Sequence, residues 1–186
     1  MSSNPPGPSR WERLRHTTQI KTAIFELLSV RFRHAARRAE RDFTVIDAPD
    51  WVNIVAVTPD DQLVLVRQFR YGINEFSLEI PGGVIERGEE PVAAGVRELR
   101  EETGYVGTNA TLLGSVHPNP AIQSNRSHFV LVENAVKSAE LAWDADEEIH
   151  VTTEPFEEVL ALVDRGAIVH GLVLNALMFY ERRRRR

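Results

Sequence analysis

Three glutamates, Glu98, Glu101 and Glu102, stand in a segment that reads as a helix, between Pro91 and Gly104. At positions i, i+3 and i+4 of a helix all three share one face. Like charges at that spacing cost an isolated helix about 0.2–0.5 kcal/mol per pair. A purely structural surface helix gains more by alternating Glu with Lys, although a glutamate-rich face can also be nothing more than a solvated one. Clustered carboxylate oxygens are the ligands that Mg²⁺ or Mn²⁺ requires. Arg97, next to the first of them, can partly neutralise the cluster and orient Glu89 through a charge-assisted pair.

The full pattern is more specific than the three carboxylates. Gly83, five residues, Glu89, seven residues, then Arg97-Glu98-Leu99-x-Glu101-Glu102-x-Gly104 resembles the Nudix box, with Tyr105 where that family carries an aliphatic residue. The resemblance implies a Nudix-type α/β/α sandwich with a mixed β-sheet, the box forming a loop–helix–loop. It implies that Glu98, Glu101 and Glu102 ligate the metal, assisted by a backbone carbonyl near Gly82. The implied cofactor is Mg²⁺, with Mn²⁺ as a substitute.

A pyrophosphate must have its charge neutralised before water can approach it, and metals also lower the pKa of a bound water. A general base is then needed within hydrogen-bond reach of that water. The box helix is one source, through Glu101 with Arg97 beside it. The other is the acidic loop Asp144-Ala145-Asp146-Glu147-Glu148, which leads into a strand and is similar to the loop that supplies the base in Nudix ADP-ribose pyrophosphatases. That resemblance favours Glu147, with Glu148 as the alternative; a solvated acidic loop is the plain reading. Pro120, sixteen residues beyond Gly104, resembles a marker of the ADP-ribose and nucleotide-sugar subgroup, as do the runs around Arg67 and Arg70 and around Glu79-Ile80-Pro81-Gly82-Gly83. Arg67 and Arg70 are expected on one strand face, where they would clamp a diphosphate bidentately. Residues 117–126 are richer in Asn, Gln and Arg than the small residues and glycine that follow the proline in typical ADP-ribose enzymes, which leaves the sugar and base open.

The expected reaction is thus hydrolysis of a nucleoside diphosphate sugar, ADP-ribose favoured, to a nucleoside monophosphate and a sugar phosphate. Alternatives are a Nudix hydrolase acting on a dinucleotide or nucleoside triphosphate, and a non-catalytic nucleotide-sugar sensor. Charge distribution bears on the class. The net charge is −5, but residues 1–41 carry nine Lys/Arg against three Glu and residues 182–186 are all Arg, leaving about −16 between them. An acidic centre repels a polyanion unless a cation intervenes, which supports a divalent metal and argues against a long RNA track. The chain has no cysteine, no apolar run of membrane-spanning length and no signal-peptide core, so a cytoplasmic protein without a membrane partner is expected.

These groups need elements to hold them. The 186 residues suffice for one domain. Residues 1–10, rich in Pro, Ser and Gly, read as a disordered end; 11–45 as an N-terminal segment, helix or strand left open, that by analogy with ADP-ribose pyrophosphatases forms a homodimer through swapped strands; 46–182 as the hydrolase domain; 183–186 as a basic tail. Residues 51–57 and 62–69 read as a hairpin about Pro59-Asp60-Asp61, followed by strands at 76–80, 111–116, 127–133 and 148–152. Helices are expected at about 91–103, 155–164 and 170–182.

Overall fold

The computed structural model describes residues 7–143 and 148–186. The chain folds into two compact units, one made of residues up to 49 with 119–125, the other of residues 50–118 with 126–186.

In the first unit the chain forms an antiparallel meander of β1 (Glu12–Lys21), β2 (Glu26–His34) and β3 (Ala39–Asp47). The choice left open for residues 11–45 therefore falls to strands. Ile20, Ile24, Leu27 and Leu28 stand at partly helical spacing in the sequence, but a turn interrupts them, where the Thr22 hydroxyl accepts the N–H groups of Ile24 and Phe25 at 3.2 and 3.0 Å. Such local hydroxyl bonds compete with helix and favour turns. Arg31 pairs bidentately with Asp42 and Arg33 with Glu12 across the meander, while β1 is exposed along its whole length. Residues 119–125 attach here through an Ile46–Gln123 bridge and a Ser124–Asp47 hydrogen bond.

The second unit is a mixed α/β structure. One sheet has the order β7-β4-β10-β9, from β7 (Gly82–Val84), β4 (Trp51–Ala56), β10 (Ser127–Glu133) and β9 (Asn109–Val116), with β4 and β10 parallel. Another joins β12 (His150–Pro155), β5 (Gln62–Arg70) and β6 (Glu75–Glu79), and two short strands, β8 (Tyr105–Val106) and β11 (Val136–Lys137), pair with each other. The expected hairpin of residues 51–57 and 62–69 is corrected by this topology. The turn exists, with the Thr58 N–H donating to Gln62 O at 2.9 Å, but only a Val57–Leu63 bridge joins the two strands before they part into different sheets.

Burial on both faces explains the near-continuous apolar runs of these strands. Side chains alternate along a strand. Val52, Ile54 and Ala56 of β4 and Val130 and Val132 of β10 meet Ala94 and Leu99 of α1 (Pro91–Thr103). Val55, Phe129 and Leu131 lie in the other core, with α2 (Phe156–Asp164) and α3 (Gly171–Arg184). Helices on the two faces of the strands make the α/β/α arrangement. The third helix continues through Arg183 and Arg184, residues expected in a tail, and Arg184 pairs with Asp61 at 3.1 Å and lies over the Phe156 ring.

Phe129 is fully buried and packs its ring 5.5 Å from that of Phe179. Replacing it with alanine is expected to cost about 3–5 kcal/mol, read as a lower urea midpoint at unchanged slope.

Candidate functional site

The helix α1 begins at Pro91, whose missing N–H costs nothing at the first helical position, and stops at Gly104, whose φ of 72° suits glycine and whose N–H returns to Arg100 O at 2.9 Å. Between these stops Arg97, Glu98, Glu101 and Glu102 fall on the side turned toward β7. Val84, Glu86, Arg97, Glu98, Glu101, Glu102 and Ala142 line a pocket of about 390 Å³.

Arg97 is the hub of this pocket. Its guanidinium donates to both Glu89 oxygens at 3.0 Å, to Glu98 at 2.8 Å, to Glu101 at 3.1 Å and to the Val84 carbonyl at 3.1 Å. The Glu89 hydrogen bonds, followed by those of Glu98 and Glu101, hold the guanidinium firmly protonated. In return Arg97 draws the Glu89 carboxyl below its ordinary pKa, helped by the Glu86 N–H. Glu102 is buried and accepts the Gly82 N–H at 3.0 Å, while its carbonyl receives the Trp143 indole N–H at 2.9 Å.

Two glycines make this closeness possible. A Cβ on Gly83 would lie 2.3 Å from the Glu98 carboxyl carbon, and one on Gly82 would lie 2.5 Å from the Val52 carbonyl oxygen. Both are sites where the backbone must come near another group.

The donor set fits a hard divalent cation. Four glutamates line the pocket and Arg97 is the one basic residue among its lining groups. Among the described residues no three His, Asp or Glu side chains are already gathered as a cage. Glu98 and Glu101 lean on Arg97 and Glu102 on Gly82. An open arrangement of oxygen donors suits an ion that keeps several of its waters, as Mg²⁺ does.

Gly82 and Gly83 also border a second, larger cavity of about 610 Å³, whose lining includes Trp51, Asn53, Arg70, Tyr71, Ser77 and His170. Arg70 grips Glu79 bidentately at 2.8 and 2.6 Å, and Glu79 is 1% exposed. Burial alone would push the Glu79 carboxyl up. The Arg70 hydrogen bonds and charge, with Ser77 and His170, outweigh it and leave the carboxyl below its ordinary value. The expected shared face of Arg67 and Arg70 is corrected here. Three residues apart on a strand, they point to opposite sides. Arg67 stacks over Phe76 at 4.4 Å with Phe69 on its side, whereas Arg70 turns to Glu79.

The box residues Gly82, Glu98, Glu101, Glu102 and Arg97 are thus gathered at one place, and Arg70 with Glu79 on the adjoining side of β7. Arg67 is not with them. Pro120 lies in a turn of the other unit, beside Asn119, whose carbonyl accepts the Gln123 N–H at 2.8 Å. Glu147 lies outside the described residues; Ala142, ahead of it in the chain, donates its N–H to Glu101 O at 3.0 Å and lines the carboxylate pocket. Sequence reading missed Trp51, Asn53, Trp143 and His170. The indole of Trp143 ahead of the acidic loop was the one available signal; the others come together only through the fold.

Known proteins are similar to this chain in sequence and fold. Residues 49–176 match the NUDIX domain. The ADP-ribose pyrophosphatase of Bacillus subtilis (strain 168) is 30% identical over 138 residues, 74% of this chain and 75% of that protein. The ADP-sugar pyrophosphatase of Mus musculus is 44% identical over 70 residues, 38% of this chain and 32% of its own. A crystal structure of an ADP compounds hydrolase shares the fold, with a TM-score of 0.83 over 96% of both chains at 22% identity.

Two expectations follow from the geometry. Gly83→Ala displaces only the flexible Glu98 carboxylate, so unfolding should stay within about 1 kcal/mol of the parent while Mn²⁺ affinity falls about tenfold; Gly82→Ala meets backbone and should lower stability more. Arg70→Met strands a buried carboxylate and should cost on the order of 3 kcal/mol near neutral pH. The pH dependence should also change sign. In the parent, Glu79 has a depressed folded pKa, so its stabilisation is present above the ordinary carboxylate pKa and is lost as pH falls through the lower folded value. In the variant, burial raises the folded pKa, so stability should be lost as pH rises through it, which urea titrations at several pH values would read.

Proposed function

This chain belongs to the Nudix family and is a Nudix pyrophosphohydrolase, and from that premise we propose that it cleaves the pyrophosphate bond of a nucleoside diphosphate sugar, ADP-ribose foremost. The observation that carries the reading is the placement of a carboxylate pocket and an Arg70-lined cavity on either side of three consecutive residues, Gly82–Val84. A diphosphate joined to two organic groups needs that combination: cation-binding oxygens at the reacting phosphorus and room beside it for what the phosphates carry. The names of the Bacillus subtilis and Mus musculus relatives support the same substrate class.

Nudix hydrolases generally use divalent metal ions, and Mg²⁺, with Mn²⁺ as a substitute, is the ion proposed here. Glu98, Glu101 and Glu102 with the Gly82 carbonyl would hold it, and when bound it supplies Lewis-acid neutralisation of the phosphoryl oxygens. The protein's own groups do the rest. Arg97 keeps Glu98 and Glu101 in place and ties the 86–89 loop to the helix. Arg70, anchored by Glu79, brings a fixed positive charge to the cavity that would take the diphosphate. Glu147 takes the proton from water as its oxygen bonds to phosphorus, and the bridging P–O bond breaks to give the nucleoside monophosphate and the sugar phosphate. Trp143 and Ala142, both bonded to the end of α1, fix the start of the segment that leads to Glu147, which supports that choice. The 46–182 segment is the hydrolase domain in this reading. Residues 11–45 form a homodimer with a second copy, supported by the fully exposed edge strand β1 with Leu14 and Ile20 uncovered. A cytoplasmic setting is proposed as well; among the described residues no helix is long and apolar enough to cross a membrane.

The test is phosphate-product release from ADP-ribose, other nucleotide sugars, dinucleotides and triphosphates, with Mg²⁺ or Mn²⁺ and with chelator. Metal-dependent turnover of ADP-ribose or a nucleotide sugar is expected; preference for a dinucleotide or triphosphate overturns the substrate class. Glu102→Gln should lower turnover by about 100-fold with nearly unchanged melting, and intact activity would remove Glu102 from the metal site. Glu147→Gln should lower turnover by about 100-fold or more while metal-dependent substrate binding persists; unaltered turnover would return the base to Glu148 or the box. Sedimentation equilibrium should give twice the chain mass, and a monomer at micromolar concentration would contradict the dimer.

A further inference from the structure

The outward side of α3 carries a stripe of exposed residues. Leu174 and Met178 are 37% and 45% exposed there, and at helical spacing Arg182 and Arg185 continue the same line. The opposite side of the helix, with Val173, Ala176, Leu177 and Tyr180, is buried. Residues 182–186 are all arginine and all exposed. Two of them are engaged, Arg184 with Asp61 and Arg185 with Glu181. Among the described residues, Arg182, Arg183 and Arg186 have no carboxylate within ion-pair distance. Cations suit the last turn of a helix, whose unpaired carbonyls carry partial negative charge. That accounts for one or two cations, not for five in succession beside two uncovered apolar side chains.

We propose that this end of α3 docks the protein on an anionic lipid surface, with arginines on the headgroups and Leu174 and Met178 against the acyl boundary. A helix that lies in such an interface presents basic and apolar groups together. The apolar pair decides between polyanions. A nucleic acid offers phosphates to the arginines and nothing to Leu174 and Met178. A polyanion running on past the arginines also meets the acidic remainder of the chain, since residues 42–181 carry about −16. A bilayer touches a globular protein through one face, and exposed charges more than about 8 Å away are largely screened at physiological salt. Arginine stems lie along apolar surface while their guanidinium groups reach phosphate, so the two residue types act together. Docking of this kind needs no spanning helix, and among the described residues there is none. The expectation of no membrane partner is thereby narrowed to no membrane span. The carboxylate pocket belongs to α1, on the other face of the sheet, and takes no part in the contact.

The test is co-flotation of the full chain with vesicles of phosphatidylglycerol and phosphatidylcholine in equal parts, and with vesicles of phosphatidylcholine alone. Flotation with the anionic vesicles only is expected, weakened at about 0.5 M NaCl. The triple variant Arg182→Gln, Arg183→Gln, Arg186→Gln should partition on the order of 100-fold more weakly. Leu174→Gln with Met178→Gln should lose about tenfold. Both variants should melt as the parent does, because every changed side chain is exposed. A fluorescent single-stranded RNA supplies the competing polyanion. The proposal is overturned by an absence of flotation with the anionic vesicles, or by flotation that either variant leaves unchanged. Arginine-dependent RNA binding as strong as the vesicle binding would likewise overturn it and assign the surface to nucleic acid.

Discussion

The close approach of the strand Gly82–Val84 to the helix Pro91–Thr103 is the constraint from which the rest of this site follows. Gly83 abuts the Glu98 carboxylate, and Gly82, which lies tight against Val52 and Asn53 of β4, donates its N–H to Glu102. A Cβ at either glycine would meet atoms already there. Arg97 closes the same gap from the helix side by reaching the Val84 carbonyl and both oxygens of Glu89. Backbone shape and charge here are one arrangement, because the residues that permit the approach are those that place the acids.

That arrangement leaves charge to be compensated. One guanidinium serves Glu89, Glu98 and Glu101, and Glu102 has been taken almost fully out of water. Carboxylates brought together in this way are costly unless a cation joins them, so the acids that weaken the helix as a free-standing element are the same groups that suit it for a divalent ion. Across the strand the balance is reversed in sign. A buried carboxylate, Glu79, holds a partly exposed guanidinium, Arg70, and stands ionised because of it. The two sides of β7 thus offer a cation-seeking surface and an anchored cation, and the larger cavity extends from the second.

How much of this was legible in the chain depended on range. The helix bearing the acids was plain because its signals are local: proline at the first position, glycine in a left-handed stop and glutamates at helical spacing. Strands buried on both faces were also plain, as continuous apolar runs. What strand would pair with what was not. Residues 51–57 and 62–69 carry a good turn between them, yet β4 pairs with β7 and β10 whereas β5 pairs with β6 and β12, in separate sheets. The N-terminal meander was hidden by a turn resting on one hydroxyl, that of Thr22. The two arginines expected to act together are three residues apart, and strand parity alone separates them. Asn53 and His170 became neighbours of one cavity only through the packing of a strand against the start of the last helix.

The central claim is that these acids hold a divalent cation beside the Gly82–Val84 strand. Anomalous diffraction from crystals grown with Mn²⁺ tests it most directly. The account predicts a peak at roughly 2.2 Å from carboxylate oxygens of Glu98, Glu101 or Glu102, within reach of the Gly82 carbonyl. A peak confined to other carboxylates, or a pocket without anomalous density at saturating Mn²⁺, would contradict it.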